Sequence, residues 1–181
     1  MAAVAAIFYP SLAVGDLVTA DLLQGMVPKY YIKPSGENRT STTTLADDTD
    51  LQGIPLDPGT YEIEFLGFMT QATTTTQKLK TRWGFTGTWN NPDRNVIGPG
   101  QNQTAAPANV TEANFAGAQA AGQDVVVSTA VTVVFTGWRE WSANVQVSVA
   151  GNFSLQWAQN SSSANASRLE GGSMFRIRRI G

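Results

Sequence analysis

Short runs of strict alternation carry most of the structural signal in this chain. In Tyr61–Met69, the apolar Tyr61, Ile63 and Phe65 alternate with Glu62 and Glu64, the two-residue period of a half-buried strand. Lys78–Phe85 mirrors it, with Leu79, Thr81, Trp83 and Phe85 on one face and Lys78, Lys80 and Arg82 on the other. Paired as a hairpin across Gln71–Thr75, the two would set Tyr61 opposite Phe85, Ile63 opposite Trp83 and Glu64 opposite Arg82. Val145, Val147 and Val149 alternate as well, followed after Ala150-Gly151-Asn152 by Phe153, Leu155 and Trp157, which reads as a second hairpin. Tyr30-Tyr31-Ile32, Ser41–Leu45 and Asp124–Thr136 read as further strands. Ser173–Ile180 reads as the last, with Arg176 and Arg178 on one face and Phe175, Ile177 and Arg179 on the other.

Between these runs the rhythm breaks. Residues 1–28 form an extended arm whose one helix signal is Thr19–Gly25, with Thr19 as cap and Gly25 and Pro28 as stop. Its apolar Met1–Tyr9 run lacks a basic flank and reads as part of the arm, not as an export signal. Leu51–Gly59 and the Asn/Ser-rich Asn160–Ser167 read as connections. Thr88–Gln123 shows no sustained period and reads as one long loop held by neighbours. The expected fold is all-β: an antiparallel β-sandwich or jelly roll over residues 29–181, behind the docking arm.

Composition narrows the chemistry. The 181 residues include no cysteine and no histidine, which removes disulfides, thiolate metal sites and imidazole bases. Twelve basic residues stand against fourteen acidic ones, and only 14% of the chain is charged, so no broad basic field is offered to nucleic acid. No apolar run approaches the ~20 residues of a membrane-spanning helix.

Few residues point to a site. Glu62 and Glu64 have the spacing of a glycosidase acid pair, but a charged sheet face balanced by Lys78, Lys80 and Arg82 is the simpler reading. Asp48-x-Asp50-x-Gln52-Gly53 begins like a calcium loop, within the acidic run 47–50. Its twelfth position is Gly59, where a bidentate glutamate is needed, so a solvated acidic turn is favoured. Trp138 and Trp141 flank Arg139-Glu140 and are the candidate glycan contacts, with Trp89 a lesser one. Trp157, Phe175, Arg176 and Arg178 are the expected subunit interface. The apolar anchors of the arm are Ile7, Phe8, Tyr9, Leu12, Leu22 and Leu23.

One resemblance runs through the chain. Tyr30-Tyr-Ile-Lys-Pro34, Arg39–Leu51, Gly59-Thr-Tyr-Glu-Ile-Glu-Phe65 and Leu79-Lys-Thr-Arg-Trp83 resemble virion proteins of tailed bacteriophages, especially those of actinobacteria. So do Phe153–Ser161 and Gly172-Ser-Met-Phe-Arg-Ile-Arg-Arg179, and Val18-Thr-Ala-Asp-Leu-Leu23 is similar to a segment upstream in them. The resemblance spans residues ~18–87 and ~143–181, but lacks the fibre shaft many such proteins carry. It implies a small jelly roll, a homotrimer and a place on the virion; with no nucleophile–base constellation in the chain, neither enzymatic activity nor a cofactor is expected. The subunit would be a capsid decoration or minor capsid protein touching the major capsid protein through its arm. The other reading is a minor tail or receptor-binding protein that recognises a host surface glycan.

Overall fold

The computed structural model describes Val14, Gly15, Leu17, Thr19 and residues 27–71, 78–90, 93–98, 114–120 (backbone), 123–128 and 136–181. The arm anchors Ile7, Phe8, Tyr9, Leu12, Leu22 and Leu23, and the helix expected over Thr19–Gly25, lie outside them.

The described elements are all strands. They are β1 (Lys29–Ile32), β2 (Glu37–Arg39), β3 (Ala46–Asp47), β4 (Ile54–Leu56), β5 (Gly59–Gln71), β6 (Lys78–Phe85) and β7 (Thr88–Asn90). Then come β8 (Asp93–Gly98), β9 (Asn114–Ala120), β10 (Val125–Ser128), β11 (Thr136–Val149), β12 (Gly151–Gln159), β13 (Ser167–Leu169) and β14 (Met174–Arg179). They form two antiparallel sheets. The large one runs β1-β14-β5-β11-β8-β9, with β13, β2 and β7 beside it; the small one runs β10-β6-β12-β3, with β4 beside β12.

Both expected hairpins are overturned. Strand β5 pairs with β14, β11 and β13, whereas β6 pairs with β12 and β10, so Tyr61–Met69 and Lys78–Phe85 lie in opposed sheets. Strands β11 and β12 are likewise split: β11 stays in the large sheet and β12 crosses to the small one. Alternation states which face of a strand is buried, and stacking face to face satisfies it as well as pairing edge to edge. The crossing after Val149 is tight: a Cβ on Gly151 would strike the backbone of Gly87, and one on Gly87 the carbonyl of Val149. Glycine is what lets these two corners touch.

The stacked faces form the core. Phe65 and Phe175 project from the large sheet, Trp83 and Phe153 from the small one, all with 1% exposure or less. Their rings meet edge-on or tilted: Phe65–Phe175 and Phe153–Phe175 at 4.9 Å, Trp83–Phe153 at 5.6 Å. Strand β11 needs a bulge to keep facing this core. Its pairing with β5 shifts by one residue between Ser142 and Val145. The buried positions accordingly change from Trp138, Glu140 and Ser142 to Val145 and Val147.

Residues Thr88–Gln123 are not one loop: β7, β8 and β9 lie within them, and β8 and β9 extend the large sheet beyond β11. Ser41–Leu45 is no strand; β3 begins at Ala46.

Candidate functional site

Two carboxylates sit inside the sandwich, each held by a cation and an indole. Glu140 and Arg94 are both wholly buried, with Arg94 Nη1 2.9 Å from Glu140 Oε2. Trp138 Nε1 donates to Glu140 Oε1 at 2.8 Å, and Thr81 Oγ1 donates to the same oxygen at 2.6 Å. Arg94 Nη2 donates to the carbonyl of Gln123 at 2.5 Å. Burial holds the Arg94 pKa below its ordinary value, partly offset by the charge of Glu140. Thr81 belongs to the small sheet and Arg94, Trp138 and Glu140 to the large one, so the cluster ties the layers together.

The second carboxylate is Asp48. Lys33 Nζ lies 2.9 Å from Asp48 Oδ2, 2.9 Å from Asp50 Oδ2 and 3.4 Å from Glu37 Oε2. Asp48 Oδ1 accepts from the amides of Asp50 and Leu51, and Oδ2 from Trp157 Nε1 at 3.0 Å. Burial opposes the charged form of Lys33, but the hydrogen bonds to Asp50 and Asp48 outweigh it and its pKa is raised. Burial likewise works against ionised Glu37; hydrogen bonds from Arg39 and Thr49 overcome it and hold the carboxyl down at about 2. The acidic run is thus solvated at Asp47, Thr49 and Asp50 but not at Asp48. Asp48 is fully buried, and a lysine ammonium occupies the centre that a calcium loop would give to a metal.

These clusters relocate several expected contacts. Trp138 is 2% exposed and points into the core, while Trp141 lies on the opposite face of β11 under the guanidinium of Arg139, 5.1 Å from its ring. The two therefore form no common sugar platform, and Trp138 reaches no ligand at the surface. Trp89 stacks on Phe85 at 5.1 Å, beside the core. Trp157 and Phe175 have no exposed surface and cannot form a subunit interface; Arg176 and Arg178 are partly exposed on the outer face of the large sheet.

That outer face is the candidate site. Strand register aligns Tyr30, Arg176, Glu64 and Trp141 in one row across β1, β14, β5 and β11. The next row, toward the other end of the strands, is Ile32, Met174, Leu66, Arg139 and Ile97. Tyr30, Ile32 and Ile97 are exposed. Arg176 Nε lies 3.3 Å from Glu64 Oε2, Arg139 Nε 2.5 Å from Glu64 Oε1, and Arg178 Nη2 2.7 Å from Glu62 Oε2. The glutamates are therefore balanced by arginines of their own sheet, not by Lys78, Lys80 and Arg82. Committed to three arginines, Glu62 and Glu64 make a charged lattice, not an acid–base pair. A hollow of about 190 Å³ opens among Tyr30, Glu64, Leu66, Met174 and Arg176.

The small sheet presents another kind of surface. Lys80 and Arg82 pair with Asp124 at 3.3 and 2.7 Å, and Gln156 Nε2 donates to Asp47 Oδ1 at 3.0 Å. Arginine, methionine and aromatic residues are enriched where proteins dock, and lysine is depleted. The large sheet carries arginine, methionine and aromatic residues on its outer face, and the small sheet carries Arg82 together with lysine and glutamine.

Sequence reasoning missed Lys33, Arg94 and Glu140 as buried ions. Parity held the signal: Glu140 falls two residues after Trp138 on one strand face, and Lys33 two after Tyr31. No protein-family model matches the chain, and no curated protein matches it.

Proposed function

We propose that the chain is a structural subunit of a tailed-phage virion, a capsid decoration or minor capsid protein that attaches through its N-terminal arm and reinforces the particle. The proposed fold is a jelly roll, and strand order supports it. Take β3 and β4 as one strand, and with it β1, β5, β6, β10, β11, β12 and β14 as the eight principal strands in chain order. The large sheet then runs first, eighth, third, sixth, and the small sheet second, seventh, fourth, fifth. This is the order of a double Greek key, an architecture used by viral capsid and lectin domains. Fold alone does not assign function. The observation that carries the proposal is the outer face of the large sheet, where exposed Tyr30 and Ile32 share a surface with Arg139, Arg176 and Arg178. Such a surface does its work by contact: each Å² of apolar area removed from water contributes ~25 cal/mol before ordering costs. The homotrimer and the virion location rest on the resemblance.

A second reading is a tail protein that recognises a host glycan. It is favoured by Tyr30 and Trp141, two aromatic side chains in one row of that face. Deleting residues 1–26 tests the first reading. The β domain is expected to keep its melting transition while the truncated protein is lost from particles; unchanged incorporation would overturn the attachment role. Glycan-array binding that disappears in Trp141→Ala would favour the second.

A further inference from the structure

We infer that the outer face of the large sheet binds a second copy of the same chain across a two-fold axis, lying parallel to the strands and midway between β14 and β5. The inference stands apart from the virion proposal, since it uses only the pattern on the face.

Over the four strands centred on this line the row reads Tyr30, Arg176, Glu64, Trp141, and Asn95 of β8 continues it. Those four positions are self-complementary in chemistry: aromatic, basic, acidic, aromatic. Half a turn about the axis lays β14 of one copy over β5 of the other and leaves each row at its own level. Arg176 then faces Glu64 of the second copy, and Glu64 faces Arg176. Tyr30, 56% exposed, meets the indole edge of Trp141. The neighbouring rows follow suit, because Arg178 is level with Glu62 and Met174 with Leu66. At these positions charge meets opposite charge and apolar meets apolar, the self-complementarity an isologous contact requires, and Ile32 against Arg139 is the pair that departs from it.

Other occupants fit this pattern less well. A polyanion would meet two glutamates among three arginines. The four strands that overlap, spaced ~4.8 Å apart and each about six residues long, offer roughly 400 Å² of flat area per copy before side-chain relief. That is about half the ~800 Å² per partner of a standard interface, the size of a weak, concentration-dependent contact. A closed trimer uses heterologous contacts and leaves an isologous face free. The two-fold thus gives dimers where no three-fold forms and hexamers where one does.

Charge swapping tests this directly. Sedimentation equilibrium of the intact chain across a concentration series is expected to give twice the 19.3 kDa chain mass, or an even multiple of it. The variants E62R/E64R and R176E/R178E each face like with like, and self-association is expected to weaken roughly a hundred-fold or more in either alone. Mixed in equal amounts they are expected to pair, because every row again meets its opposite. A wild type found only as monomer or trimer would overturn the inference, as would folded variants that stay apart when mixed.

Because a like-charged face could impair folding, a second test leaves the charges alone. The chain has no cysteine. In Y30C/W141C the two thiols of one chain are three strand spacings, ~14 Å, apart, while facing sheets lie ~10 Å apart. A bismaleimide limited to ~10 Å is expected to join two chains on a denaturing gel. A folded Y30C/W141C protein giving only single chains would contradict the two-fold.

Discussion

The large sheet holds arginine–glutamate pairs on both faces, and they answer to different demands. Arg94 and Glu140, on the inner face, have no exposed surface, and Trp138, Thr81 and the Gln123 carbonyl supply further hydrogen bonds, leaving Arg94 Nε unpartnered. Arg139 and Glu64, on the outer face, are 47% and 19% exposed. Adjacent residues of β11 supply the two kinds: Glu140 points in and Arg139 points out. A buried pair is locked in place, because removing one partner strands a charge in low dielectric. An exposed pair contributes little to folding and is free to recognise something else. The inner ions therefore belong to the fold, and the outer ones are available for the contact proposed above.

The largest expected effect breaks the inner pair. Glu140→Ala leaves Arg94 without a counter-ion and two donors without an acceptor; urea unfolding is expected to register a loss of about 3–5 kcal/mol. Glu64→Ala should cost under ~1 kcal/mol in the same measurement. Equal losses would erase the distinction between the faces. Lys33→Met comes next, since it leaves buried Asp48 unneutralised beside Asp50 and Glu37. A loss of about 3 kcal/mol is expected, somewhat smaller because Asp50 is 28% exposed and can recruit water.

Acid gives a smaller, graded effect. Glu37 titrates near 2 in the folded chain against an ordinary 4.5. A carboxyl depressed by folding contributes stability that is full above its unfolded pKa and lost as pH falls through the folded one. Stability should therefore decline from about pH 4.5 toward pH 2, by on the order of 2 kcal/mol from this group. Thermal melts of wild type and Glu37→Gln check it: the variant should start lower and lose less across that window. The smallest effect compares the two outer faces. Leu66→Gln and Lys80→Gln should each change unfolding by no more than ~0.5 kcal/mol, yet only Leu66→Gln should weaken self-association.

How much of this the sequence disclosed depended on whether the inward positions were apolar. Strand β6 matches its expected bounds, and β5, β12 and β14 match theirs within a few residues, because Ile63, Phe65, Leu79, Trp83, Phe153, Leu155, Phe175 and Ile177 alternate with polar neighbours. Strand β8 was hidden because its inward positions are Arg94 and Val96. An arginine there breaks the alternation, and its partner Glu140 lies 46 residues downstream. Asp48 was misread for the same reason: its neutralising Lys33 lies 15 residues upstream. Pairing partners were illegible because a strand with one apolar face carries no record of which sheet it joins. The outer face emerged only from register, which brings Tyr30, Arg176, Glu64 and Trp141 together from four distant segments.

Hydroxyl-radical footprinting at low and high protein concentration tests most directly whether that face is a docking surface. Tyr30, Trp141 and Met174 are oxidisable reporters on it, and Trp89, away from the row, is the internal control. Oxidation of the three is expected to fall as concentration rises, with Trp89 unchanged. Equal oxidation at every concentration would mean that no second copy covers the face.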